Sequence, residues 1–292
     1  MAPLLLILLV FMPCQTMLFT FDRVTSSPPL FSIISSWWMN PLPQHSSSTP
    51  IQAAARLDQR HKVTIMANNT ISHWCGVVFD NFKDSVVRLD CAQQFRGNGF
   101  VVFGSGNTGL ILTCEHNLPK TESNGNVAVV VVGSTVSALF HTGVRFDARV
   151  VYVDAGRDLA LLRADTFSVP CTPLRFWEDG DVVLLAFFTM KYGQVLVEPG
   201  TFPGKILSEP VWDEETDSVE IRSDYTSESG TSGAPVFLQR VNKVVGVNSG
   251  ALGGTVKTAI SVRTIHAALR QWLQPGDENI TIEEMLKRIA EQ

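Results

Sequence analysis

From about residue 70 onward, short apolar runs recur at spacings near ten residues, each bounded by Gly, Asn, Asp or Pro. SVVRLDC (85–91), GFVVFG (99–104), GLILTCEHNL (109–118) and NVAVVVVG (126–133) form a first set, continued by RFDARVVYVD (145–154) and LALLRAD (159–165). After a loop at 166–181 come VVLLAFF (182–188), QVLVEPGTFPGKILS (194–208), SVEIRSDY (218–225), APVFLQR (234–240) and KVVGVNSG (243–250). Val, Ile, Phe and Leu alternating with small or polar residues carry the period of half-buried strands. Many such strands without intervening helices predict an all-β fold of sandwich or barrel type. The number of runs suits two antiparallel six-stranded β-barrels, with a boundary near 166–180.

The period changes after residue 260. SVRTIHAALRQWL (261–273) puts Ile265, Leu269, Trp272 and Leu273 on one helical face, and Pro275-Gly276 stops it. TIEEMLKRIAEQ (281–292) opens on a capping box, Thr281 with Glu284, and carries the stripe Ile282, Met285, Leu286 and Ile289. This stripe is expected to pack on the body, with an oligomer contact as the sharper alternative. The division is therefore a leader over 1–57, a two-barrel body over 70–274 and a helical tail over 275–292.

The leader differs in composition. MAPLLLILLVFMPCQTMLFTF holds no charged side chain, and Pro13 and Gln15 interrupt it, which argues against a membrane-spanning helix. Residues 24–55 are uncharged and rich in Ser and Pro. A removable secretory or organellar targeting segment is the favoured expectation, although no basic residue precedes the apolar stretch; a disordered leader and a membrane anchor are the alternatives.

Charge narrows the function classes. The net charge of −5 argues against nucleic-acid binding, which needs a clustered basic face. The acidic cluster Asp213, Glu214, Glu215, Asp217 and Glu220 reads as a solvated hairpin tip. Five cysteines without a C-x-x-C pair suggest neither a disulfide framework nor a structural zinc site, and reduced, partly buried thiols are expected. Cys114 and His116 lack companions for a metal site, so no metal and no cofactor is expected.

Three residues stand out. His116 follows the apolar strand GLILTC, Asp158 heads the apolar run LALLRAD, and Ser232 lies in the polar loop SESGTSGAPVF (227–237). A serine hydroxyl is a poor nucleophile until an imidazole accepts its proton, and the imidazole needs a carboxylate to hold its tautomer. The oxyanion that forms then needs backbone N–H donors, which Gly230 and Ser232 would supply. The order His, Asp, Ser, without a helix after the serine, disfavours an α/β-hydrolase, whose serine precedes its acid and base.

GNGFVVFG…GLILTCEHNL, GRDLALLRAD and SGTSGAPVF…KVVGVNSG, in that order, resemble the signature segments of the chymotrypsin-fold serine proteases. The Deg/HtrA-type branch is the nearest in pattern, supported by GKILS (204–208) and TAISVRTIHAALRQWL, and the resemblance covers roughly 70–274. It implies a serine endopeptidase with His116 as base, Asp158 as its orienter and Ser232 as nucleophile. Gly230 and Ser232 would form the oxyanion hole. Thr226 would stand at the base of the specificity pocket, and Ser249, Gly250 and Ala251 would line its wall and pair with substrate backbone. Without a carboxylate at 226, a small or medium apolar side chain is expected beside the cleaved bond. Protein or peptide substrates follow, with a homo-oligomer possible and no membrane association of the mature domain. The 18 residues after Gln274 are too few for a PDZ module.

The chain departs from the family pattern at Glu115, where a small residue is usual, at Thr231, and at Ala234, where Gly is frequent. A carboxylate beside the imidazole would raise its pKa. These departures keep a second expectation open: a catalytically silent protease fold that binds peptides or partner proteins.

Overall fold

The computed structural model describes residues 71–92, 94–122, 128–168, 182–187, 190–191, 194–195, 199–238, 243–277 and 279–292. The leader over 1–57 and most of the boundary segment 166–180 lie outside them. Among the described residues no helix is long and apolar enough to cross a membrane.

The chain enters through helix α1 (71–82), which the strand-oriented reading above misses. Trp74, Val78 and Phe82 recur at a spacing of four and turn one face of it to the core, where Phe82 stacks on Phe237 with ring centroids 5.1 Å apart. A 3₁₀ turn, Lys83–Ser85, leads from it into the first barrel.

That barrel is closed. Strands β1 (Val86–Cys91), β2 (Gln94–Ser105) and β3 (Thr108–Thr113) form a meander. A small hairpin of β4 (Lys120–Glu122) and β5 (Ala128–Val130) follows. Strands β6 (Thr135–Phe140), β7 (Arg145–Asp154) and β8 (Leu159–Ala164) form a second meander. Pairing of β3 with β8 and of β1 with β6 closes the order β1-β2-β3-β8-β7-β6. Closure leaves no edge strand to pair with another chain.

The runs GLILT and LALL are apolar on both faces for a reason. Ile111, Ala160 and Leu162 point into the barrel with Val87, Leu89 and the aromatic trio Phe140, Phe146 and Phe167. Leu110, Leu112, Leu159 and Leu161 point outward, yet they are buried too. They share a core with Phe100, Phe237, Val247, Ile260 and Leu269 from the rest of the molecule. Adjacent residues of one strand thus serve two cores, which is why strict alternation disappears there.

In the second half, full closure of the expected barrel is not seen among the described residues. It comprises β9 (Val182–Phe187), a two-stranded ribbon of β10 (Met190–Lys191) and β11 (Gln194–Val195), β12 (Gly200–Lys205) and β13 (Val211–Asp213). Strands β14 (Ser218–Ser223), β15 (Pro235–Leu238), β16 (Lys243–Gly253) and β17 (Val256–Ser261) complete it. Seven of these form one sheet in the order β12-β9-β15-β16-β17-β14-β13, with no ladder closing it among the described residues. Its ends meet at a single bridge, Ile206 to Ser223, flanked by Leu207 N–H donating to Arg222 O (2.8 Å) and Asp224 N–H donating to Lys205 O (3.2 Å). The sheet is rolled and pinned at one point, with β13 hanging outside the roll.

Helix α2 (Val262–Leu273) starts at Ser261, whose hydroxyl accepts from Thr264 N–H, and ends at Gln274 in the left-handed conformation. It buries Val262, Ile265, Ala268 and Leu269, leaving Trp272 and Leu273 only partly covered. Helix α3 (Ile282–Glu291) packs Met285, Leu286 and Ile289 into the same core. Its capping box is half made. Thr281 Oγ1 accepts from Glu284 N–H, while the Glu284 carboxylate turns to Arg288 (3.1 Å).

Candidate active site

His116 and Asp158, the expected base and its orienter, come from adjacent turns of the closed barrel. His116 sits in a 3₁₀ turn, Glu115–Asn117, directly after β3. Asp158 sits in the turn between β7 and β8 with φ 54, a left-handed conformation that Asp tolerates better than most residues. From there it grips the histidine turn by both backbone and side chain. Its carbonyl accepts from Glu115 N–H (3.1 Å), and Oδ1 accepts from His116 N–H (3.0 Å). His116 Nδ1 lies 2.8 Å from Oδ2 and 2.9 Å from Oδ1. With its proton on Nδ1, the neutral ring keeps Nε2 as an acceptor.

This carboxylate is only partly buried: its side chain is 32% exposed, and that of His116 is 42% exposed. The Asp158 hydrogen bond still pushes the imidazole pKa above its ordinary 6.5, against the opposing effect of partial burial, with a smaller upward push from Glu115. Glu115 does not crowd the ring. It is itself buried and its carboxylate pairs with Lys120 Nζ at 2.8 Å.

Ser232 comes from the loop between β14 and β15, which has no strand structure and takes its shape from two glycines and borrowed hydrogen bonds. Gly230 (φ 89) and Gly233 (φ 83) are left-handed, as the turn requires. A Cβ at 233 would run into Asn98 O, Thr113 Oγ1 and Asn117 Nδ2, and one at 230 would run into the Phe95 ring. The carbonyls of the loop are held from the first barrel. Asn98 Nδ2 donates to Gly230 O (2.6 Å), and Asn98 N–H donates to Ser232 O (2.8 Å). Asn117 Nδ2 donates to Ser232 O as well (2.9 Å), and Thr113 Oγ1 donates to Asn98 O (2.6 Å). These peptides flank the one that carries the Ser232 N–H. Thr231 turns inward, where its hydroxyl donates to Glu228 O and accepts from Asn248 Nδ2. Ala234 fits among the buried residues of the second sheet.

His116 and Ser232 line one cleft of about 390 Å³, with Gly230, Gly250, Ala251 and Arg96 also in its walls. Among the described residues no hydrogen bond joins the ring to the hydroxyl; Ser232 Oγ donates to Ser249 O at 3.3 Å instead. Neither Gly230 N–H nor Ser232 N–H has a protein acceptor among the described residues, so both remain available to a ligand oxygen. Thr226 is exposed and stands outside the cleft lining.

Cys114 Sγ, a ring nitrogen of His116 and an Asp158 oxygen lie within 4.8 Å of one another. Burial pushes the Cys114 thiol well above its ordinary pKa, and Nδ1 is already engaged by the carboxylate, so the cluster favours holding a proton over ligating an ion.

A family profile described as the trypsin-like peptidase domain matches residues 97–247. The chain belongs to the trypsin-like peptidase family. The HtrA-type protease AlgW with a decapeptide shares its fold, at TM-score 0.51 and 16% identity, over 68% of this chain and 67% of that one. The Rv3671c protease in its inactive form aligns with TM-score 0.48 and 23% identity over 66% and 91% of the two chains. The active form of the same M. tuberculosis protease gives 0.49 and 21% over 70% and 87%. No curated protein matches the sequence.

In this trypsin-like domain the sequence reading missed Asn98, Thr113 and Asn117. Asn98 and Asn117 are buried carboxamides that spend their donors on the loop's carbonyls, and no local pattern in the sequence marks them for that task.

Proposed function

We propose that the trypsin-like domain is a serine endopeptidase that works through an acyl-enzyme. The Ser232 hydroxyl leaves the long bond to Ser249 O, passes its proton to His116 Nε2 and attacks the substrate carbonyl. Asp158 stabilises the imidazolium that results, and the N–H groups of Gly230 and Ser232 receive the oxyanion. Collapse expels the amine, which takes the proton from His116, and water activated by the same ring then releases the acid. Ser249, Gly250 and Ala251 would pair with the acyl half of the substrate. Thr226 would stand near the base of the specificity pocket; it is exposed and does not itself line the cleft, which begins at its neighbour Ser227. The observation that carries the reading is the His116 ring held through Nδ1 by Asp158 in the same cleft as Ser232.

One observation favours a second reading, a silent fold that binds peptides: the hydroxyl is bonded to a carbonyl rather than to the ring. A fluorophosphonate probe separates the two. Labelling of the wild type that disappears in Ser232→Ala is the expected result. A folded wild type that stays unlabelled supports the binding protein.

A further inference from the structure

The two walls of the cleft differ in charge. Ser232 stands between them, its carbonyl accepting from Asn98 on β2 and its hydroxyl reaching Ser249 on β16. The β16 wall offers Gly250 and Ala251, which carry no charge. The β2 wall offers Arg96, which is exposed and forms no ion pair among the described residues.

Arg96 is part of a basic rim. Its neighbour Phe95 lies against Gly230, and the Arg88 guanidinium sits 5.4 Å from the centre of the Phe95 ring. Strand register places Arg88 opposite both Asn98 and Leu139, and Leu139 opposite Arg145. Asp90 serves both Arg88 (2.7 Å) and Arg145 (3.1 Å), so two cations share one carboxylate and none of it is left for Arg96. Glu115, the next acid along this wall, is already matched by Lys120. Glu228 also lines the cleft, but on the nucleophile loop. A positive rim on a chain of net charge −5 is a local feature and does not follow from composition.

We propose that Arg96 selects peptides bearing an acidic residue at the first or second position after the cleaved bond. The inference rests on the endopeptidase reading. An acyl half running along β16 leaves the β2 side for the departing half, and the cation waiting there has no ion-pair partner among the described residues. A carboxylate from the substrate would supply one.

The test uses full-length protein and peptides identical except for Asp, Asn or Lys at those two positions. In wild type, kcat/KM is expected to favour Asp over Asn by about twofold to fivefold, the range of a solvent-accessible ion pair, and to fall further for Lys. Added salt should shrink the difference. Arg96→Gln should erase the preference, Arg96→Glu should invert it, and Arg96→Lys should retain it. Circular dichroism and melting checks that each variant is folded. Binding of the same peptides to Ser232→Ala, followed by fluorescence anisotropy, reads the preference without turnover. Binding that favours Asp in a protein that cleaves nothing would overturn the endopeptidase reading and leave the Arg96 assignment standing. Equal treatment of Asp and Asn in both measurements, or a preference that survives Arg96→Gln, would overturn the assignment itself.

Discussion

The two halves of the domain hold their share of the site by different means. In the closed barrel, Asp158 and His116, the proposed acid and base, stand on neighbouring turns, and Asp158 fixes the histidine turn by its own carbonyl and carboxylate. In the rolled sheet, Ser232, the proposed nucleophile, stands on a loop without regular structure. The loop's carbonyls are held by Asn98 and Asn117, side chains of the other half. The acid–base pair is therefore complete within one half, while the nucleophile's position depends on contacts between halves. Ser232 Oγ resting on Ser249 O, not on the ring, is where that dependence is visible.

The largest effect is expected inside the closed half. Asp158→Asn keeps a side chain that tolerates the left-handed backbone and can still accept from His116 N–H, so the melting temperature should barely move. Turnover should fall by about ten-thousandfold, because the amide favours the wrong imidazole tautomer. The pH profile carries a second signature. The carboxylate is the main cause of the raised His116 pKa, and the base works only when neutral. Removing it lowers that pKa, so the acid limb of kcat/KM should move to lower pH. A limb that stays in place would show that the pair is not the unit described.

The same contrast explains what the sequence discloses. The strands and the order His116, Asp158, Ser232 are legible because period-two patterning and a Gly-Ser loop are local signals. Helix α1 has a local signal as well, Trp74, Val78 and Phe82 four apart, but only 12 residues carry it and Gly76 dilutes it. The single-bridge closure of the second sheet is not legible, because it depends on where Ile206 meets Ser223 across the roll. The Asn clamps are not legible either. Asn98 reaches Gly230 across 132 residues and Asn117 reaches Ser232 across 115, and no periodicity encodes such a pair.

An intermediate effect should come from the clamp. Asn117→Leu keeps the branched shape with bulkier ends and removes the donor to Ser232 O and Thr113 Oγ1. Ser232 O keeps the Asn98 N–H, and the buried Asn117 Oδ1, which has no partner, disappears with the amide. The gain offsets part of the loss, leaving about 1 kcal/mol of destabilisation by urea unfolding. Labelling of Ser232 by the fluorophosphonate should slow more than this small loss of stability explains. Equal labelling rates would mean that the loop holds itself, and the contrast between the halves would dissolve.

The smallest effect tests a contact in which the closed half reaches outward. Arg157, next to Asp158, bonds Asp154 within its own turn (2.8 Å). It also reaches Asp217 on the β13–β14 turn (2.7 Å) and Gln271 on α2 (2.7 Å). Asp217 is 68% exposed, so its link to the guanidinium is screened by water and salt. A double-mutant cycle of Arg157→Gln with Asp217→Asn should give a coupling of about 0.2–1 kcal/mol that shrinks as salt is added. The acid limb of the pH profile should stay where it is, since His116 is held by Asp158 and not by Arg157. A coupling of several kcal/mol, or a limb displaced by Arg157→Gln, would mean that the acid–base pair is also positioned from the other half. Base, acid and nucleophile would then share one kind of support.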